Sequence, residues 1–211
     1  MASRKVSLLI LLTLSLLILT VVSLIPSPAQ AQADVTSTFP TFSDFLQSVS
    51  NGDGGQLQGV YIPSVMALPV VQQVGNSPTY VSPEDETLTQ FGMATQFGMV
   101  GLLAHNDLSG KYFSALLPGQ VLYLVYGSGE INTFIVTQIL RLRAHEPNNP
   151  YSYFTDLDTH QVYSAEDLFR QVYMGDPHVT FQTCIAQDDQ PSWGRLFVIA
   201  VPLTQYYSEQ D

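Results

Sequence analysis

An unbroken apolar run from Val6 to Ile25 opens the chain, and beyond residue 55 the hydrophobic positions change to short alternating stretches separated by turn residues. Alternation with a period of two predicts half-buried strands. Leu57 to Ile62 reads as a strand ending at Pro63. Val65 to Val71 reads as a second, and Pro69 predicts an edge or a bulge there. Thr79 to Val81 is a short third, and Pro83-Glu84-Asp85-Glu86 a turn or a helix start. The apolar run Phe97 to His105 predicts a buried strand ending at His105, followed by a loop at Asn106 to Gly110. Gln120 to Tyr126 and Ile131 to Leu142 are the clearest strands, joined by the hairpin signal Gly127-Ser128-Gly129-Glu130. Pro147-Asn148-Asn149-Pro150 is a turn. Val179 to Ile185 and Arg195 to Val201 complete the set, with a polar loop from Asp188 to Gly194.

Helical signals are few. Ser164 before Ala165-Glu166-Asp167 resembles a capping box, with Leu168, Val172 and Phe169 on the apolar face and Gly175 and Pro177 as a stop. Thr41 or Ser43 caps a shorter helix through Phe45 and Leu46, ended by Asn51-Gly52-Asp53-Gly54-Gly55. The expected fold is mostly β: roughly eight strands in a closed or nearly closed barrel, with one or two short helices.

The first 33 residues read as a targeting segment. Arg4 and Lys5 precede the apolar run, Pro26 and Pro28 break it, and Ala31-Gln32-Ala33 is a small-x-small cleavage site. The run is about long enough to span a bilayer. Two outcomes stay open: a signal peptide cleaved after Ala33, or an N-terminal membrane anchor through residues 6–25. Either places the rest of the chain outside the cytoplasm. The domain plan is a leader at 1–33, a spacer at 34–55, one main domain at 56–205 and a tail at 206–211.

Composition narrows the partners. Charged residues are 12% of the chain against 45% hydrophobic, which fits a packed domain and excludes disorder. The net charge is −11, and it becomes −13 once the basic pair Arg4 and Lys5 is set aside with the leader. A surface of that sign repels nucleic acid and anionic lipid.

One cysteine occurs, Cys184, so no intrachain disulfide can form. A lone exported thiol is a buried small hydrophobe, an intermolecular bridge or a reactive group. Cysteine catalysis needs a base or positive charge that promotes the thiolate, a proton donor for the leaving group, and a donor for the oxyanion. His105, Cys184 and Arg195 supply these three types at predicted strand ends. Cys184 and Arg195 lie on adjacent strands of one hairpin.

The residues around them carry a resemblance. Thr180-Phe181-Gln182-Thr183-Cys184 resembles the sortase motif T-L-x-T-C, with Phe in the Leu position. Arg195 begins an apolar strand eleven residues later, as the sortase arginine does. Gly101-Leu102-Leu103-Ala104-His105 resembles the strand ending in the sortase histidine. Tyr112-Phe113-Ser114-Ala115-Leu116 through Gly119-Gln120 and the early Ile62-Pro63-Ser64 are similar to further family segments. The similarity covers about residues 59–203. Ala104 stands where Gly is common, Asn106 where a polar or basic residue is frequent, and Phe181 where Leu is usual.

The resemblance implies a sortase-like barrel and an extracytoplasmic cysteine transpeptidase. Cys184 would form a thioester at a sorting motif of a secreted protein. His105 would act as acid and then base, and Arg195 would stabilise the oxyanion. The acceptor would be an amine from a cell-wall precursor or a protein lysine. This chemistry requires no cofactor. Calcium serves some sortases, but no loop here identifies a site for it.

Other readings bear on the same residues. Cys184 as an inert core thiol, His105 as a satisfied strand-end histidine and Arg195 in a surface ion pair with Asp188 or Asp189 are the bland alternatives. His145, His160 and His178 are read as structural. Thr183, one residue before Cys184, should face the opposite side of the strand and pack or bond to backbone. Zinc motifs and G-x-S-x-G are absent from the sequence. An exported cysteine peptidase, an L,D-transpeptidase and a non-catalytic binding module on the same fold remain the functional rivals.

Overall fold

A computed structural model describes residues 39–208 except 76 and 78. The targeting segment 1–33, the first residues of the expected spacer and residues 209–211 lie outside the described residues. Among the described residues no helix is long and apolar enough to cross a membrane.

The strands are β1 (Leu57–Ile62), β2 (Met66–Gln72), β3 (Leu88–Gln90), β4 (Val100–Leu103), β5 (Val121–Tyr126), β6 (Ile131–Ala144), β7 (Phe154–Asp156), β8 (Val162–Tyr163), β9 (Val179–Gln187) and β10 (Gln190–Pro202). They pair in the order β10-β9-β4-β3-β2-β1-β5-β6, and β6 returns to β10. That last pairing closes an eight-stranded barrel and runs antiparallel from Gly194↔Arg143 to Pro202↔Phe134. Two pairs are parallel, β2–β3 and β4–β9. β6 is long because it serves two neighbours in succession: its first part pairs with β5, its last residues with β7. The small β7–β8 hairpin thus extends the sheet beyond the barrel.

Alternation along each strand sorts the side chains. Leu57, Leu68, Leu102, Leu122, Leu124, Phe181, Leu196 and Val198 point inward and form the barrel core. Phe113, on a 3₁₀ helix at Ser109–Ala115, plugs this core and meets Phe181 edge-on at 5.2 Å. Two outer faces are also apolar, and each is covered. Helix α1 (Phe42–Val49) starts at the cap Thr41, whose Oγ1 accepts from the Asp44 amide at 3.2 Å. It lays Phe45 over β1 and β5 against Tyr61 and Val125. Gly59 makes the approach fit, since a Cβ there would stand 2.7 Å from Phe45 Cζ.

Helix α2 (Gly92–Thr95) and helix α3 (Ala165–Tyr173) cover the second face. Ser164 caps α3, accepting from the Asp167 amide at 3.1 Å. Leu168, Val172 and Tyr173 pack there with Leu140, Leu142, Phe154, Phe197 and Ile199. Helix α4 (Leu203–Ser208) ends the described chain.

Among the described residues the α-helices are few and short, as expected, and number four. Several elements differ from expectation. The strand before His105 begins at Val100, because residues 92–95 form α2 and Gly98 turns the chain with φ +77°. Residues 79–81 are not a strand; the short strand of that region is β3, held between β2 and β4. The loop expected at Asp188–Gly194 is a tight turn at Asp188 and Asp189 between longer strands, with Asp188 at φ +53°. Polar residues dominate that hairpin tip because it projects past the core.

Candidate active site

β4, β9 and β10 lie side by side, and their outward residues form rows across the sheet. Inward residues are Leu102 and Ala104 on β4 and just beyond it, Phe181 on β9, and Leu196 and Val198 on β10. The alternate positions, His105, Cys184 and Arg195, therefore share the outer face. Cys184 pairs directly with Arg195. On the other side Leu103 pairs with Gln182, and the Ala104 amide continues the ladder to the Gln182 carbonyl at 3.3 Å. Extended by two residues beyond the Leu103↔Gln182 pairing, this register would set His105 level with Cys184. Neighbouring strands are about 4.8 Å apart, so the three backbones make a row roughly 10 Å wide with the cysteine in the middle.

The row is fixed from beneath. Thr183 points inward, is 5% exposed, and its Oγ1 donates to the Ala104 carbonyl at 2.8 Å. The His105 carbonyl accepts from the amides of Gly110 at 2.8 Å and Leu108 at 3.1 Å. Gly110 is obligatory in this packing: a Cβ there would stand 2.2 Å from Thr183 Oγ1 and 2.6 Å from the His105 carbonyl oxygen. Asn106 Nδ2 donates to the Pro191 carbonyl at 3.2 Å, tying the loop after His105 to the β9–β10 hairpin.

The His105 ring is exposed, and neither of its nitrogens is engaged among the described residues. Cys184 is a free, half-buried thiol. The Arg195 guanidinium is anchored by carbonyls. Nη1 donates to Ser192 at 2.9 Å and to Gly194 at 2.8 Å, and Nη2 donates to Pro147 at 3.2 Å. Its Cζ lies 5.9 Å from the centre of the Phe154 ring. Arg195 thus makes no ion pair with Asp188 or Asp189; the salt bridges among the described residues are Lys111–Asp85 and Arg170–Glu166. Of five guanidinium N–H groups, Nε–H and one on Nη2 remain for a further acceptor.

The other histidines are placed structurally. His178 is buried, with Nδ1 2.7 Å from the Asp176 carbonyl and Nε2 2.9 Å from the Val172 carbonyl at the end of α3. His145 Nε2 is 2.7 Å from Thr155 Oγ1. His160 is exposed in the turn between β7 and β8. Among the described residues no three His, Cys, Asp or Glu side chains gather as a metal site. A concave patch lined by Pro40, Phe45, Val49, Ala67 and Pro69 lies on α1 and β2, on none of the strands that carry the row.

Sequence reasoning assigned no role to Pro147, Phe154, Gly110 or Asn106. Pro147 and Phe154 hold Arg195 from segments about forty residues away, and no local pattern in the sequence marks that contact. Gly110 carried a weak signal, as a glycine shortly after a candidate histidine.

No family model and no curated protein matches the sequence. Solved structures to which the chain is similar include sortases. Sortase A of Listeria monocytogenes matches at 14% identity over 69% of this chain and 86% of that one, with a TM-score of 0.45. Sortase C-1 of Actinomyces oris matches at 16% identity over 80% and 85%, with a TM-score of 0.46. Sortase C of Clostridium perfringens SM101 matches at 17% identity over 75% and 80%, with a TM-score of 0.41. The barrel itself stands on the strand pairing of this chain.

Proposed function

We propose that this protein is an extracytoplasmic cysteine transpeptidase of the sortase type. The observation that carries the reading is the direct pairing of Cys184 with Arg195 on β9 and β10, with β4, which leads into His105, paired to the other side of β9. The resemblance of residues 180–184 to the family's cysteine motif supports it.

In this reading Cys184 Sγ attacks a peptide carbonyl of a secreted protein, and the carbonyl π electrons move to oxygen. The remaining N–H groups of Arg195 meet that oxyanion. As the tetrahedral intermediate collapses, the C–N bond breaks, and imidazolium His105 gives its proton to the departing amine. The product is a thioester on Cys184. An incoming amine, whose proton neutral His105 now accepts, attacks the thioester carbonyl and releases the thiolate. The new amide would join the acyl chain to a cell-wall precursor amine or a protein lysine. A leader with Arg4, Lys5 and an apolar run accords with work on secreted substrates.

The test is intact-mass spectrometry of residues 34–211 mixed with peptides of the Leu-Pro-Xaa-Thr-Gly type, with and without a glycine-peptide amine. A thioester on Cys184 that converts to ligated peptide when amine is added is the expected result. A thioester that yields only hydrolysed peptide would assign a cysteine hydrolase instead. A folded domain whose Cys184 resists thiol reagents would make the barrel a binding module.

A further inference from the structure

The three carbonyls that hold Arg195 are not equivalent. Ser192 and Gly194 are its near neighbours on β10, so those two bonds, at 2.9 and 2.8 Å, travel with the strand. Pro147 is the distant holder. Its carbonyl accepts from Nη2 at 3.2 Å and belongs to the loop between β6 and β7. The direction of the guanidinium therefore depends on where that loop puts one oxygen. Residues 145–153 fix it. The His145 amide closes the loop by donating to the Tyr153 carbonyl at 2.9 Å. Ser152 closes it a second time from inside. It is 2% exposed, and its Oγ accepts from the Glu146 amide and donates to the Tyr153 carbonyl, both at 2.8 Å. Buried hydroxyls are bonded as a rule, and this one spends both of its functions on the two ends of the loop. Asn149 braces the same residue from the surface side. Its amide donates to the Glu146 carbonyl at 3.0 Å, and its Nδ2 donates to Glu146 Oε2 at 2.9 Å. Pro147 follows this anchored glutamate with φ fixed by its ring, so its carbonyl swings only with ψ.

We infer that Ser152 is a positioning residue for Arg195: by locking the loop at Glu146 it keeps the Pro147 carbonyl on Nη2, and so sets the direction of the guanidinium hydrogens left for the oxyanion. The inference rests on the transpeptidase reading, in which Arg195 meets that oxyanion. Ser152 itself touches no substrate. It acts through one backbone oxygen on a side chain that must already be aligned when charge develops, because aligned donors need no reorganisation in the transition state. A displacement of about 1 Å in such a site costs up to about a hundredfold in rate.

The competing explanation is that Ser152 only stabilises its loop. A double-mutant cycle separates the two. Acylation by the Leu-Pro-Xaa-Thr-Gly peptides is measured as kcat and KM, per folded molecule, in Ser152→Ala, Arg195→Ala and the double variant. Ser152→Ala should lower kcat about 10-fold or more with KM within about 2-fold, and should lower it less than about 2-fold once Arg195 is gone. The ¹⁵N signals of the Arg195 Nη atoms give a second readout that needs no substrate. They report rotation of the guanidinium, and should be separate in the wild type and merged in Ser152→Ala. Phe45→Ala, destabilised at α1, should keep the wild-type kcat and separate signals. If Ser152→Ala fails to fold, Asn149→Ala loosens the same anchor and should change both readouts in the same direction. Signals that stay separate, an unchanged kcat, or an equal loss with and without Arg195 overturns the role of Ser152 and leaves Cys184 as nucleophile. Absence of a wild-type thioester with every peptide overturns the transpeptidase reading and, with it, the purpose given to Ser152, whatever the guanidinium signals show.

Discussion

At the scale of single residues, side chains of the same type sit in different surroundings. His105 is exposed and unengaged just beyond β4, whereas His178 has a backbone carbonyl at each ring nitrogen. His105→Ala should therefore lower thioester turnover by about a hundredfold or more, as loss of an acid–base group does, and leave the melting temperature nearly unchanged. His178→Ala should do the opposite. It strands buried carbonyls and costs about 1–3 kcal/mol of stability, read from urea unfolding, while acylation per folded molecule persists. The reverse pattern would make His178 the base. Cys184→Ala should remove the adduct altogether and leave a folded barrel. Asp156 carries a pH prediction. Burial alone would raise its pKa, but the amides of Thr159 and Asp158, the Thr159 hydroxyl and nearby His160 outweigh that and hold the carboxyl below its ordinary value. Its stabilisation is complete above about pH 4, where an unfolded aspartate is ionised, and fades as pH falls through the lower folded value. The unfolding midpoint should drop on acidification below pH 4, and Asp156→Asn should flatten that drop.

At the scale of elements, the site depends on how the loop after β4 packs on β9. Gly110 sits against Thr183 and the His105 carbonyl with no room for a methyl group. Gly110→Ala should cost about 1–3 kcal/mol by overpacking and displace His105 from the cysteine. Activity should then fall further than the folded fraction does, which acylation at 10 °C beside circular dichroism would reveal. Intact activity in a folded variant would show that the 3₁₀ helix yields without moving the row. These elements differ in how far the sequence announced them. Long alternating strands such as β5, β6 and β10 were legible because one face meets a core, and α3 was legible through its serine cap. β3 was not, since Leu88–Gln90 is too short for a periodic signal and exists because β2 and β4 pair with it. The 3₁₀ helix was hidden likewise: its anchor Phe113 looks apolar in any conformation. The three candidate residues were chosen from their order and flanks, and of these the Cys184–Arg195 adjacency is seen in the strand pairing. The holders of Arg195 were not, because Pro147 and Phe154 reach it only through the β6–β7 pairing.

At the scale of the whole molecule, the row exists only in the closed barrel. The parallel β4–β9 pairing joins Leu103 to Gln182 across most of the domain, and Arg195 is presented on a strand that also seals β6. Partial unfolding anywhere on this circuit should cost activity, whereas changes that spare it should cost stability alone. Helix α1 tests the distinction. It covers the outer face of β1 and β5, strands that carry no residue of the row, and buries Phe45 to 4% exposure over Gly59. Phe45→Ala removes a large buried ring and should cost about 3 kcal/mol, measured as a lower denaturant midpoint at unchanged slope. The acylation rate of the remaining folded protein should equal that of wild type, because β4, β9 and β10 keep their register. A lower rate in fully folded Phe45→Ala would mean that α1 and the concave patch beside it act on the substrate, so the site would extend around the barrel well beyond the row. An unchanged rate confines the chemistry to the three strands and makes α1 a stabilising cover for the barrel's other face.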